Sequence, residues 1–172
     1  MPNRKSNDAI ALLKADHRKV EHLFAQYKKA KAASRKKDLA SQICLELTVH
    51  AKIEEDVFYP GCREDGVDED LMNEAYVEHD GAKVLIAEIE AGSPGDQYYD
   101  AKVKVLSEMI KHHVKEEEKK QGNMFAEAKK ASVDTKALGE RMAREKKTLA
   151  AKYKSEGPPK PPMTTFTGTK LA

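Results

Sequence analysis

The sequence predicts an all-α protein: an up-down-up-down four-helix bundle with an additional C-terminal helix and a disordered tail. Three observations lead there. Hydrophobic residues make up 40% of the 172 residues and charged residues 35%, with only 6% aromatic and no Trp. That balance suits helices better than a β-sandwich or barrel. Apolar residues recur at steps of three and four through four successive segments of about 20–27 residues each. The segments are separated by short loop signals, as antiparallel neighbours in a bundle require.

The first segment runs from about Asp8 to about Lys31, with Asn7 or Ser6 as its N-cap. Its seam reads Ile10, Leu13, His17, Val20, Phe24, Tyr27. The second runs from about Ser34 to Tyr59, where Pro60-Gly61 is expected to end or kink it; the seam is Ile43, Leu47, His50, Glu54, Val57. The third starts near Asp68 and stops near Gly92-Ser93-Pro94-Gly95, with Met72, Ala75, His79, Ala82, Ile86 and Ile89 in its seam. The fourth spans roughly Gln97 to Lys120, is loosened at Gly122-Asn123 and resumes to about Lys130, along Val103, Leu106, Ile110, His113, Glu117 and Met124. A fifth starts near Asp134 and ends near Ser155, carrying Leu138, Met142 and Leu149 among many basic residues. It is expected to pack across the bundle end or to mediate self-association as a homodimer. The stretch GPPKPPMTTFTGTKLA, rich in Pro, Thr and Gly, reads as disordered. The domain division is therefore 1–131 for the bundle, 132–155 for the C-terminal helix and 156–172 for the tail.

Lys and Arg number 31 and Asp and Glu 29, a formal net charge of +2. This near-balance argues against a dedicated nucleic-acid binder. No uncharged stretch approaches the ~20 residues of a membrane helix, and the N-terminal residues lack the apolar run of a secretory signal. Cys44 and Cys62 read as reduced thiols, and the expected location is cytoplasmic.

Each of the four seams contains a histidine where an apolar residue belongs, and two contain a glutamate as well. His50 and Glu54 are four apart, as are His113 and Glu117, so each pair shares a helix face. An ionised carboxylate in a bundle core costs several kcal/mol unless paired or metal-bound. No seam position holds Lys or Arg. A pair of divalent or trivalent metal ions satisfies His17, His50, Glu54, His79, His113 and Glu117 together, and imidazole with carboxylate suits iron and manganese, zinc less distinctively. At about 1.5 Å rise per residue, the four histidines fall in about the same layer of antiparallel helices. His22 falls off the first seam and reads as a surface residue. His112 makes its own pairing with Glu116, and its five-residue spacing to Glu117 is a rival; His113 is preferred because it continues the Val103–Leu106–Ile110 stripe. Glu55, Glu116 and Glu118 read as solvated neighbours. Tyr76, one turn before His79, is the first candidate for an additional ligand, ahead of Tyr59 and Tyr27.

The order H, HxxxE, H, HxxxE, carried by ADHRKVEHLF, HAKIEEDVFYP, VEHDGAKVLI and HHVKEEEKK, resembles the hemerythrin-like (HHE cation-binding) domain family over about residues 8–130. The resemblance implies a four-helix bundle holding two iron ions, oxo- or hydroxo-bridged. It places ligands at His17, His50, Glu54, His79, His113 and Glu117, with the two glutamates bridging. Oxygen-carrying members are similar to a pattern with a second histidine four residues after the third-helix one, and this chain has Lys83 there. Fewer protein ligands leave a more open pair. The expected function is therefore binding of, and reaction with, a small oxidant (dioxygen, peroxide or nitric oxide) in oxidative or nitrosative stress, with catalase-like turnover an open question. The alternative is an oxygen-sensing module or an iron buffer without turnover. Neither nucleic acid nor membrane is an expected partner.

Overall fold

The computed structural model describes residues 8–160 and 162–167, and every regular element among them is helical. Helix α1 (Ala9–Lys29) starts where the Asp8 side chain accepts the Ala11 N–H. Capping satisfies a donor that has no intrahelical partner. The expected caps, Ser6 and Asn7, lie outside the described residues. Helix α2 (Ala33–Ile53) does not stop at Pro60 as expected. It passes through a π-helical turn (Glu54–Phe58) into α3 (Tyr59–Glu64). The Tyr59 N–H reaches back five residues to the Glu54 carbonyl, and Pro60, which has no N–H to place, follows directly. Helix α4 (Glu69–Ala91) is capped by Asp68. Helix α5 (Tyr99–Glu118) ends outright, and α6 (Met124–Lys130) begins anew under the side-chain cap of Asn123, rather than the pattern simply resuming. Helix α7 (Thr135–Glu156) is capped by Asp134.

Helices α1, α2, α4 and α5 pack as a ring of neighbours, α1 on α2 and α5, α4 on α2 and α5. Helix α7 lies against α1, α2 and the π-turn rather than across the bundle end. Gly61 permits this: a Cβ there would sit 2.7 Å from a Leu138 methyl of α7. The apolar interior is split in two. One cluster includes Leu13, Val57, Phe58, Met72, Phe125 and Met142; the other includes Phe24, Leu39, Ile43, Ile86, Ile89 and Leu106. Each such side chain contributes about 1.5–3 kcal/mol on burial. The histidine layer lies between the clusters. Cys44 and Cys62 are free, buried and on opposite sides of it.

Composition marked 156–172 as disordered, but much of it has a place. After Gly157, at φ 80°, the chain returns over the bundle, and Pro162 and Thr164–Phe166 dock on α4. The cause is one buried carboxylate, Asp80, which accepts the N–H groups of Thr164, Thr165 and Phe166 and the Thr165 hydroxyl. Such donors satisfy a charge that has no water to turn to. Among the described residues no helix is long and apolar enough to cross a membrane.

Candidate metal centre

All six seam residues singled out above meet in the layer between the two clusters, and each is at most 6% exposed. The Nε2 atoms of His17 and His50 are 3.2 Å apart, and those of His79 and His113 are 3.3 Å apart. Glu54 turns Oε1 toward His50 Nε2 at 3.4 Å and Oε2 toward His79 Nε2 at 3.2 Å. Glu117 turns Oε2 toward His17 Nε2 at 3.3 Å and Oε1 toward His113 Nε2 at 3.5 Å. Each carboxylate therefore spans two imidazole pairs, one oxygen to each. Two donor sets result, His17, His50, Glu54 and Glu117 on one side, and His79, His113 and the same two glutamates on the other.

These sets fit cations. Glu54 Oε1 and Glu117 Oε2 are fully buried with no hydrogen-bond partner, a costly state for ionised oxygens. Two ligand atoms each about 2.1 Å from one ion and at right angles are about 3 Å apart, close to the observed spacings. Without a cation, protons must serve. Burial pushes the His17 imidazole down, but Glu117, Glu54 and Glu118 more than reverse this and raise it to about 9. His79 is raised to about 9 in the same way, burial being outweighed by Glu54 and Glu55. Burial pushes Glu117 up, but His113, His17 and His50 hold it down at about 2.

A ring of four outer carboxylates orients the imidazoles. Glu118 of α5 faces His17 Nδ1 at 2.7 Å, and Asp16 of α1 faces His50 Nδ1 at 3.5 Å. Glu55 of the π-turn faces His79 Nδ1 at 2.9 Å, and Glu78 of α4 faces His113 Nδ1 at 2.6 Å. Each acid reaches the histidine of the next helix, so the ring closes around the bundle. A carboxylate only accepts, so Nδ1 carries a proton and Nε2 is turned to the centre, where its lone pair can take a cation or, without one, a second proton. Cations brace the ring: Lys146 of α7 on Asp16, Arg18 on Glu118, Lys83 on Glu55. Glu55 and Glu118, read from sequence as solvated, are thus part of the site. The available signal was adjacency, since Asp16, Glu55, Glu78 and Glu118 each lie next to a seam His or Glu in the chain.

The tyrosine ranking is reversed. Tyr59, fully buried, places its hydroxyl 3.3 Å from Glu54 Oε2, 3.2 Å from Glu117 Oε1 and 3.4 Å from His79 Nε2. Tyr76 packs edge-on to the Tyr59 ring instead, with centroids 5.3 Å apart. Tyr27 bonds Asp100 away from the site. Burial first, then Glu54 and Glu117, push the Tyr59 phenol well above its ordinary value. His112 faces solvent with a side chain 60% exposed, whereas His113 is buried; His22 is exposed and bonds Gln26.

The family model described as Hemerythrin HHE cation binding domain matches residues 8–125. A protein of Nostoc sp. named DNA nickase is 32% identical over 107 residues, which is 62% of this chain and 30% of that protein's length. The chain thus spans less than a third of that relative. The crystal structure of a hemerythrin HHE cation-binding domain-containing protein from Mycobacterium kansasii superposes with a TM-score of 0.68 at 18% identity, covering 88% of this chain and 94% of that one. The helices that bring these histidines and glutamates to one layer are therefore those of a family relative, and this chain belongs to the hemerythrin HHE cation-binding domain family.

Proposed function

We propose that the chain is a non-haem di-iron protein that binds and reacts with a small oxidant: dioxygen, peroxide or nitric oxide. The supporting observation is the pair of donor sets spanned by Glu54 and Glu117, with one orphaned oxygen on each glutamate. His17 and His50 would hold one ion and His79 and His113 the other, with the glutamates bridging; short connections between the long helices support an up-down-up-down arrangement around them. Bound iron supplies ferrous–ferric electron transfer and open positions for the oxidant.

The protein's own part is orientation, exclusion of water and proton placement. The outer carboxylates fix the imidazole tautomers and enrich them as donors. The Tyr59 hydroxyl donates to Glu54 Oε2 and Glu117 Oε1, which holds the bridging carboxylates and biases the two sets. The tyrosine hydroxyl stands on the His79–His113 side of both carboxylates. The apolar clusters above and below keep bulk water from the layer. Turnover with hydrogen peroxide would be catalase-like. A sensing role has one observation in its favour, the contact of Lys146 on α7 with Asp16, through which a change at His50 would reach the outermost helix.

Metal analysis with an optical spectrum tests the reading. About two irons per chain and oxo-bridge charge-transfer bands are expected. Glu54→Ala should lose most of the iron and His22→Ala should keep it. Iron-free purified protein that does not load, or equal loss in His22→Ala, overturns the assignment. Peroxide consumption by the loaded protein separates turnover from sensing.

A further inference from the structure

A cavity of about 370 Å³ runs from the four imidazoles past Val20, Leu47, Ala82, Ile86, Ile110 and Val114 to the outside of α2 and α4. Its interior is far larger than a diatomic ligand or a peroxide needs; one water occupies roughly 30 Å³ in the liquid. Interior volume therefore does not select a small ligand. The outer side of the cavity is lined by Tyr153 of α7 and by Pro159, Lys160, Pro162 and Thr164 of the returning C-terminal segment, which narrows its opening without sealing it. Apart from Tyr153, these residues add nothing to the buried core. Their attachment is polar and local. Three consecutive backbone N–H groups, from Thr164 to Phe166, converge on Asp80, an arrangement that binds an anion tightly. Lys83 Nζ donates to the Pro162 carbonyl at 3.1 Å and pairs with Glu55 at 2.9 Å, and Glu55 accepts from His79. The segment is thus clamped onto the residue next to one imidazole and onto the lysine that braces its carboxylate.

We infer that residues 159–160 and 162–166, clamped by Asp80 and Lys83, form the size-selecting outer wall of the cavity, admitting dioxygen- or peroxide-sized molecules and barring bulkier ones such as organic hydroperoxides. Asp80 and Lys83 are positioning residues in this scheme. The inference rests on the proposed oxidant chemistry for its purpose but not for its geometry, so its test begins without iron.

Metal-free full-length protein is treated with diethyl pyrocarbonate, and carbethoxylation is mapped at each histidine by mass spectrometry. Two variants release the wall from opposite sides: Asp80→Asn, and Thr164→Pro with Thr165→Pro, the second leaving the bundle untouched. Hydrogen exchange should rise at residues 164–166 in Asp80→Asn and at Phe166, the clamp amide that remains, in the proline variant. Labelling of His17, His50, His79 and His113 should rise at least fivefold, while the exposed His22 and His112 label at the wild-type rate. On iron-loaded protein, the same variants should gain at least fivefold in rate with cumene hydroperoxide relative to hydrogen peroxide. Thr165→Ser should behave as wild type, because it keeps the N–H and the hydroxyl. Unchanged exchange in the variants overturns the clamp. Released exchange with unchanged labelling of the four buried histidines overturns the wall. Faster labelling without any peroxide reaction supports the wall and overturns the oxidant reading instead.

Discussion

Tyr59 reaches both central carboxylates, Glu54 and Glu117, from a position that periodicity hides. On an ordinary α-helix a residue five after Glu54 points about 140° away from it. The π-turn of Glu54–Phe58 absorbs one extra residue, so Val57, Phe58 and Tyr59 are buried in succession and the tyrosine hydroxyl arrives beside Glu54. Tyr59→Phe should leave the fold intact and, on the proposed two-ion reading, weaken one of the two metal-binding steps by about 10–100-fold, the usual effect of removing an outer partner. Stepwise metal titration reads this; two unaltered steps would show that the hydroxyl holds nothing. The imidazoles set a pH dependence for the metal-free protein. His17 and His79 are raised in the folded state from 6.5 to about 9. Their contribution to stability is therefore complete below about pH 6.5 and is lost as pH rises toward about 9. Denaturant midpoints of metal-free protein should fall across that window, and those of metal-loaded protein should not follow. The thiols behave oppositely in reactivity: burial pushes Cys44 and Cys62 up to about 12, so neither should react with iodoacetamide at pH 8 until the chain unfolds.

At the level of elements, the four seams were legible because a 3.6-residue period is local information. Ile10, Leu13 and Phe24 of α1, or Ile86 and Ile89 of α4, are buried as their spacing requires. The layer of histidines was legible too, since rise per residue converts chain position into height. Pro60 misled because a proline normally stops a helix, yet the turn before it had already surrendered the hydrogen bond that proline lacks. Helix α7 was foreseen as a helix but not in its place, which depends on Gly61 meeting Leu138 across the fold. Met142 is fully buried, in the cluster with Phe58 and Phe125. Met142→Ala should cost about 2–5 kcal/mol, read from urea unfolding. An unchanged midpoint would mean that α7 is not part of the core.

Across the whole molecule, two apolar clusters are joined through a charged layer that is stable only when its carboxylates are answered. Metal binding to the folded state alone stabilises it by mass action, about 2.7 kcal/mol at a hundredfold excess over the dissociation constant. Chelation should therefore lower the thermal midpoint by about 5–10 °C for a chain of this size. No shift would imply that protonated imidazoles satisfy the layer as well as cations do. What the sequence determined by itself was the helical class, the seams, the common height of four histidines and two glutamates, and through them the family. Those features rest on periodicity and chain distance, which a linear string contains. Only the tertiary structure decided which oxygen of each glutamate serves which imidazole pair, which acid orients which histidine, that Tyr59 rather than Tyr76 enters the site, and that a segment of tail composition lines the cavity. Each of these is a contact between groups on different elements or after a local change of helical phase, where periodicity along the chain no longer tells direction in space.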